Sequence, residues 1–226
     1  MERKTAWNEY NKKDMKKLEK LNASYRAFLD NGKTERECVK ESVRQAEEAG
    51  YVNLDTYVKE NRALKPGDKV YAVCMKKAIA LFQIGTRPLT EGMNILGAHI
   101  DSPRLDLKPN PLYEDAGMAY FKTHYYGGIK KYQWTAIPLE LRGVVCVCDK
   151  GEVKRVEVRV GDKPGDPKFV ITDLLPHLAA NQMSRKATEI VKGEGLNILV
   201  GSVPSETVDE KCSEKIKLAV MEHLNR

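Results

Sequence analysis

The stretch "NILGAHIDSPRLDLKP", residues 94–109, decides how the chain is read. Ile95, Leu96, Ala98 and Ile100 form a short apolar run with a Gly inside it, which suits a central strand of an α/β sheet. The run then breaks: His99 lies within it, Asp101 closes it, and Pro103, which has no N–H to give a ladder, is expected to stop it. On a strand, residues i and i+2 face the same side, so the Asp101 carboxylate can approach the His99 ring. Two chemistries share that arrangement. A carboxylate on one ring nitrogen sets the tautomer and raises the basicity of the other nitrogen, as it does behind a metal-bound histidine. A hydrogen-bonded core histidine followed by a turn-forming Asp-Ser-Pro has the same spacing.

On either side of this stretch the periodicity changes without repeating. Residues 7–29 and 34–49 carry helical spacing, with Leu18, Leu21, Tyr25, Phe28 and Leu29 on one face and Gly32 and Gly50 as stops. Pro66-Gly67-Asp68 marks a turn, and "KVYAVCMKKAIALFQIG" after it reads as two strands around Lys76-Lys77. From Pro109 the pattern shifts toward alternation, which divides the chain into residues 1–108 and 109–226. In "GVVCVCDKGEVKRVEVRV" the alternation on both sides of Asp149-Lys150-Gly151 predicts a hairpin. "KPGDPK" is a loop, Thr172 or Asp173 is positioned to cap a helix through residues 174–191, and "LNILVGSV" returns as a strand. A last helix is expected from Ser205 to Leu224, with Ile216, Val220 and Leu224 as an apolar stripe that has no evident partner, the kind of face that marks a contact surface.

At 226 residues the chain is long enough to bury a sizeable core. Its net charge of +6 is spread over 38 basic and 32 acidic residues that intermingle, as in Glu35-Arg36-Glu37. A nucleic-acid surface would gather basic residues on one face with aromatic platforms among them, so that class is set aside. Five cysteines in no framework spacing, without an apolar leader, point to a reducing cytoplasm, and no run nears the ~20 apolar residues of a membrane span. Cys146-Val147-Cys148 lacks the second pair that a zinc knuckle needs and reads as two buried small side chains. Gly127-Gly128 reads as a turn, and His124 and His223 stand without supporting residues.

"GAHIDSPRLDLKP", "HYYGGIKKYQWTAIPLELRGVV" and "ITDLLPHLA", in that order, resemble the M18 family of metallo-aminopeptidases, in particular its bacterial aminopeptidase 1-type branch. The resemblance runs over nearly the whole chain. It implies a phosphorylase/hydrolase-like α/β catalytic domain, interrupted after the His-x-Asp strand by an inserted β-rich domain that builds dimers and higher homo-oligomers. It further implies peptide substrates and two zinc ions in a complete site. Carried over by position, His99 resembles a ligand of one zinc and Asp101 the carboxylate of the catalytic machinery that orients it. Pro176-His177-Leu178-Ala179 resembles a segment that approaches the active site of a neighbouring subunit, making His177 a substrate-side residue. Where the aspartyl-aminopeptidase branch has a second His four residues on, this chain has Asn181, so a preference for acidic residues is not implied.

A two-zinc hydrolase also needs a bridging carboxylate, a Glu as general base and further ligands. In the family these follow the inserted domain. Glu114-Asp115 and Asp209-Glu210 lie in no metal motif of the family and read as solvated loop or helix-end charges. Two readings result: the N-terminal part of a zinc aminopeptidase, or an assembly module from a truncated homologue.

Overall fold

The computed structural model describes residues 3–206 and 212–224, and the chain divides into two compact units, Met1–Ser102 and Pro103–Arg226. Helices and strands mix in both, an α/β fold. No helix among the described residues is long and apolar enough to cross a membrane.

In the first unit, α1 (Lys12–Asn31) starts where the Asn11 side chain accepts the backbone N–H groups of Lys13 and Asp14. α2 (Glu35–Glu48) starts at a reciprocal capping box between Thr34 and Glu37. The two helices differ in what they bury. α2 buries Cys38, Val39 and Ala46, whereas α1 buries nothing, and Leu21, Tyr25 and Leu29 of its expected inner face lie in solvent. Next come the two-residue β1 (Val52–Asn53), α3 (Leu54–Lys59), and the hairpin of β2 (Lys69–Cys74) and β3 (Ala78–Gln83), with β1 parallel to β2. Val70 and Tyr71 of β2 and Tyr57 of α3 complete this unit's core. The Tyr71 hydroxyl donates to Glu47 at 2.7 Å, tying sheet to helix.

The central strand expected at residues 94–100 is not formed. Residues 92–103 carry neither helix nor ladder, and Ile95 and Leu96 are 79% and 100% exposed. A strand buried on both faces exists only between neighbouring strands, and the sheet β1-β2-β3 does not include this segment.

The second unit begins at Pro103. Pro109 and Pro111 fall inside β4 (Arg104–Asp115), an edge strand whose register slips between Leu107 and Leu112, so the missing N–H groups cost the ladder little. β4 pairs with β5 (Met118–Tyr126) across a tight turn with positive φ at Ala116 and Gly117, a hairpin that Ala in the first turn position hides from sequence inspection. β8 (Ile198–Gly201) adds the third strand. Phe121, Ile171, Val191, Leu196 and Ile198 form the core beneath, and Thr123 donates its hydroxyl to the Leu196 carbonyl.

β6 (Leu141–Asp149) and β7 (Glu152–Val160) make the expected ribbon, its two-residue turn at Lys150 (φ 50°) and Gly151 (φ 87°). Among the described residues the ribbon has no third strand, and Cys146 and Cys148 are exposed and not buried as expected. The long helix expected over residues 174–191 is also absent. A 3₁₀ turn at Pro176–Leu178 and the single turn α4 (Ala180–Met183) replace it, because Asp173 bonds Leu174 N–H, Gln182 and Thr135 in place of the first turn of a helix. The last helix, α5, spans Lys215–Leu224; of the residues expected to extend it, 207–211 lie outside the described residues. Its stripe does have a partner: Ile216 is buried, and Ile216 and Val220 press on β8 at Gly201. Glu114 of β4 accepts the backbone N–H groups of Ile216 and Lys217, each at 2.9 Å, at the positive end of that helix.

Candidate metal site

His99 and Asp101 come together as their spacing suggested. His99 Nδ1 lies 3.0 Å from Asp101 Oδ1 and 3.0 Å from the Asp101 carbonyl oxygen. Both partners are acceptors, so in the neutral ring Nδ1 carries the hydrogen and donates, and Nε2 keeps its lone pair. That side chain is 84% exposed, which removes the alternative of a histidine satisfied within a core. A bare, oriented imidazole suits a zinc ligand, and a carboxylate behind it suits the supporting role.

The rest of a metal centre does not assemble around it. Among the described residues no group of three or more His, Cys, Asp or Glu side chains is placed to hold a metal ion. Glu114 is engaged at the helix terminus, and Asp209 and Glu210 lie outside the described residues. The fit to zinc is therefore that of one ligand with its orienting carboxylate.

His177 belongs to the second unit, on the 3₁₀ turn between Leu175 and Ala179. It sits in a loop whose Leu174, Leu175 and Leu178 are all exposed. Sequence reasoning gave Asp173 the wrong task and so missed what holds that loop. Its Oδ1 accepts Leu174 N–H at 2.8 Å and Gln182 Nε2 at 3.0 Å, and its Oδ2 accepts the Thr135 hydroxyl at 3.1 Å. The Gln182 amide first, with the Leu174 N–H and Thr135 hydroxyl, holds the Asp173 carboxyl below its ordinary pKa against a burial effect that opposes them.

The family model described as "Aminopeptidase I zinc metalloprotease (M18)" matches residues 28–226, and the chain belongs to the M18 family. It is 48% identical over 224 residues to a probable M18 family aminopeptidase 1 of Clostridium acetobutylicum, covering 99% of this chain and 47% of that protein. The solved M18 aminopeptidase of Thermotoga maritima superposes with a TM-score of 0.85 at 46% identity, over 100% of this chain and 46% of that one. Aminopeptidase I of Clostridium acetobutylicum superposes with 0.83 at 45% identity, over 100% and 48%. The chain thus spans about half the length of the relatives it matches.

Proposed function

We propose that residues 1–226 supply one part of a zinc aminopeptidase that releases N-terminal residues from peptides. The observation that carries this is the His99–Asp101 pair: an imidazole held at 3.0 Å by a carboxylate, with its other nitrogen turned to solvent, in a chain of the M18 family. His99 offers Nε2 to zinc, and Asp101 keeps the proton on Nδ1. Zinc, when bound, polarises a peptide carbonyl and makes bound water acidic enough to act near neutral pH. The remaining ligands of a two-zinc site and the general base come from outside these 226 residues, a reading supported by the half-length coverage of the relatives and by the absence of a three-ligand group among the described residues.

The first unit then belongs to a phosphorylase/hydrolase-like catalytic domain, and the second to the inserted assembly domain. One face of the β6–β7 ribbon supports homo-oligomers: Val145, Val147 and Val156 share it and all stand in solvent, an arrangement that favours a covering subunit. His177, on its leucine-rich loop, meets substrate at a neighbouring copy's site. The working compartment is the cytoplasm.

The test is zinc content and aminopeptidase turnover of this chain, alone and mixed with the segment of the Clostridium relative that lies beyond the matched half. Alone, the chain should show no turnover. The mixture should hold zinc and hydrolyse an aminoacyl anilide, with activity lost on chelation and in the His99→Ala chain. Chelator-resistant turnover by residues 1–226 alone would defeat the assignment. A mixture that binds tightly without zinc or turnover would establish the assembly module instead.

A further inference from the structure

The β6–β7 ribbon presents two thiols on one face. Cys146 and Cys148 are two residues apart on β6, in a ladder that keeps one register from Leu141↔Val160 to Asp149↔Glu152. Both side chains therefore leave the same face, and both are exposed. Arg155 stands directly opposite Cys146, and Val153 opposite Cys148.

Strand geometry decides what two such thiols can do. Alternate residues of a strand are roughly 6.6–6.8 Å apart, with nearly parallel Cα–Cβ vectors. A disulfide needs Cβ atoms about 3.5–4.5 Å apart, so closing one would require the backbone to buckle. Two sulfurs leaning toward each other across that gap can instead bracket one ion: with metal–thiolate bonds of about 2.3 Å, a linear arrangement spans roughly 4.6 Å. Four-ligand zinc is not served by two thiols, but soft thiolate ligands select monovalent copper. Binding converts two thiols and one M⁺ into a bis(thiolate) complex of charge −1 with release of two protons, and no electron moves. The Arg155 guanidinium across the ladder meets that negative charge.

We propose that Cys146 and Cys148 form a two-coordinate site for a soft monovalent cation of the copper(I) class. The test is anaerobic titration of the reduced full chain with copper(I) against a chromogenic copper(I) chelator. One equivalent per chain should be withdrawn from the chelator. Cys146→Ser and Cys148→Ser should each weaken it at least tenfold, while Cys74→Ser and Cys212→Ser should leave it unchanged. A double variant, Val147→Cys with Cys148→Val, keeps the cysteine count but sends one thiol to the opposite face, and should also lose the ion. Copper retained by that double variant, copper retained by both serine variants, or no withdrawal from the chelator by the parent chain would each overturn the proposal.

Discussion

An imidazole that stands in solvent leaves no cavity when it is removed. His99→Ala should therefore change the unfolding free energy of this chain by no more than about 0.5 kcal/mol in a denaturant titration, where a core histidine would cost about 1–3 kcal/mol. In a zinc-loaded assembly, Asp101→Asn should lower metal affinity or activity by roughly 10–100-fold, because the amide no longer enforces the ring's tautomer. A different carboxylate makes the first unit sensitive to acid. Glu41, buried on α2, receives a two-pronged bond from Arg44, at 2.5 and 2.9 Å, and a 3.0 Å bond from Gln45. The Arg44 bonds lead in pulling its pKa down to about 2, against an unfolded value near 4.5. With the folded value depressed, its stabilisation is complete above pH 4.5 and disappears as pH falls toward 2. Acid unfolding of the Glu41→Gln chain should accordingly be shallower across that window than that of the parent. At this scale the sequence brought out the pair but placed it in a buried central strand, where the structure has an exposed segment without ladder. An i, i+2 contact needs only local geometry, whereas the exposure of His99 depends on strands that do or do not flank it.

Elements were legible where turn chemistry is local. Lys150-Gly151 and, in the turn after Cys74, Met75-Lys76 adopt positive φ; the first pair stands where alternation placed a hairpin, and the second beside the Lys76-Lys77 expected between two strands. The stretch from 174 to 191 was misread because its apolar spacing resembles a helix, while the bonds of Asp173 to Thr135 and Gln182 come from distant or later residues. On α5 the partner of Ile216 and Val220 is β8, which is distant in sequence, whereas Leu224 of the same stripe stays exposed. Their closest approach is at Gly201, where an added Cβ would lie 2.8 Å from Val220 Cγ2 and 3.6 Å from Ile216 Cγ2. Gly201→Ala should thus push α5 off the sheet and destabilise the second unit by about 1–3 kcal/mol, read as faster amide exchange along α5 and β8. Amide exchange unchanged from the parent would mean that the helix does not need that contact.

At the level of the whole molecule, two compact units are joined by a segment without helix or ladder. Leu89, Met93, Ile95 and Leu96, all in or beside it, are bare. Brief chymotrypsin treatment should cut after Leu96 or Met93 before it cuts within β2 or β5, and yield two fragments that divide near the unit boundary. Protection of that segment in the mixture with the relative's remaining half would locate the covering surface. The two prolines near 110 were not legible as part of a strand, because β4 absorbs them at a register slip that no local rule announces.

The same bare segment bears on how long the chain survives in a cell. Leu96 has its whole side chain in water, and an apolar run on display is what chaperones hold and proteases select. If the proposed assembly covers the run, co-expression with the relative's remaining half should raise the amount of this polypeptide that a cell retains, and an unchanged amount would mean that the run stays uncovered.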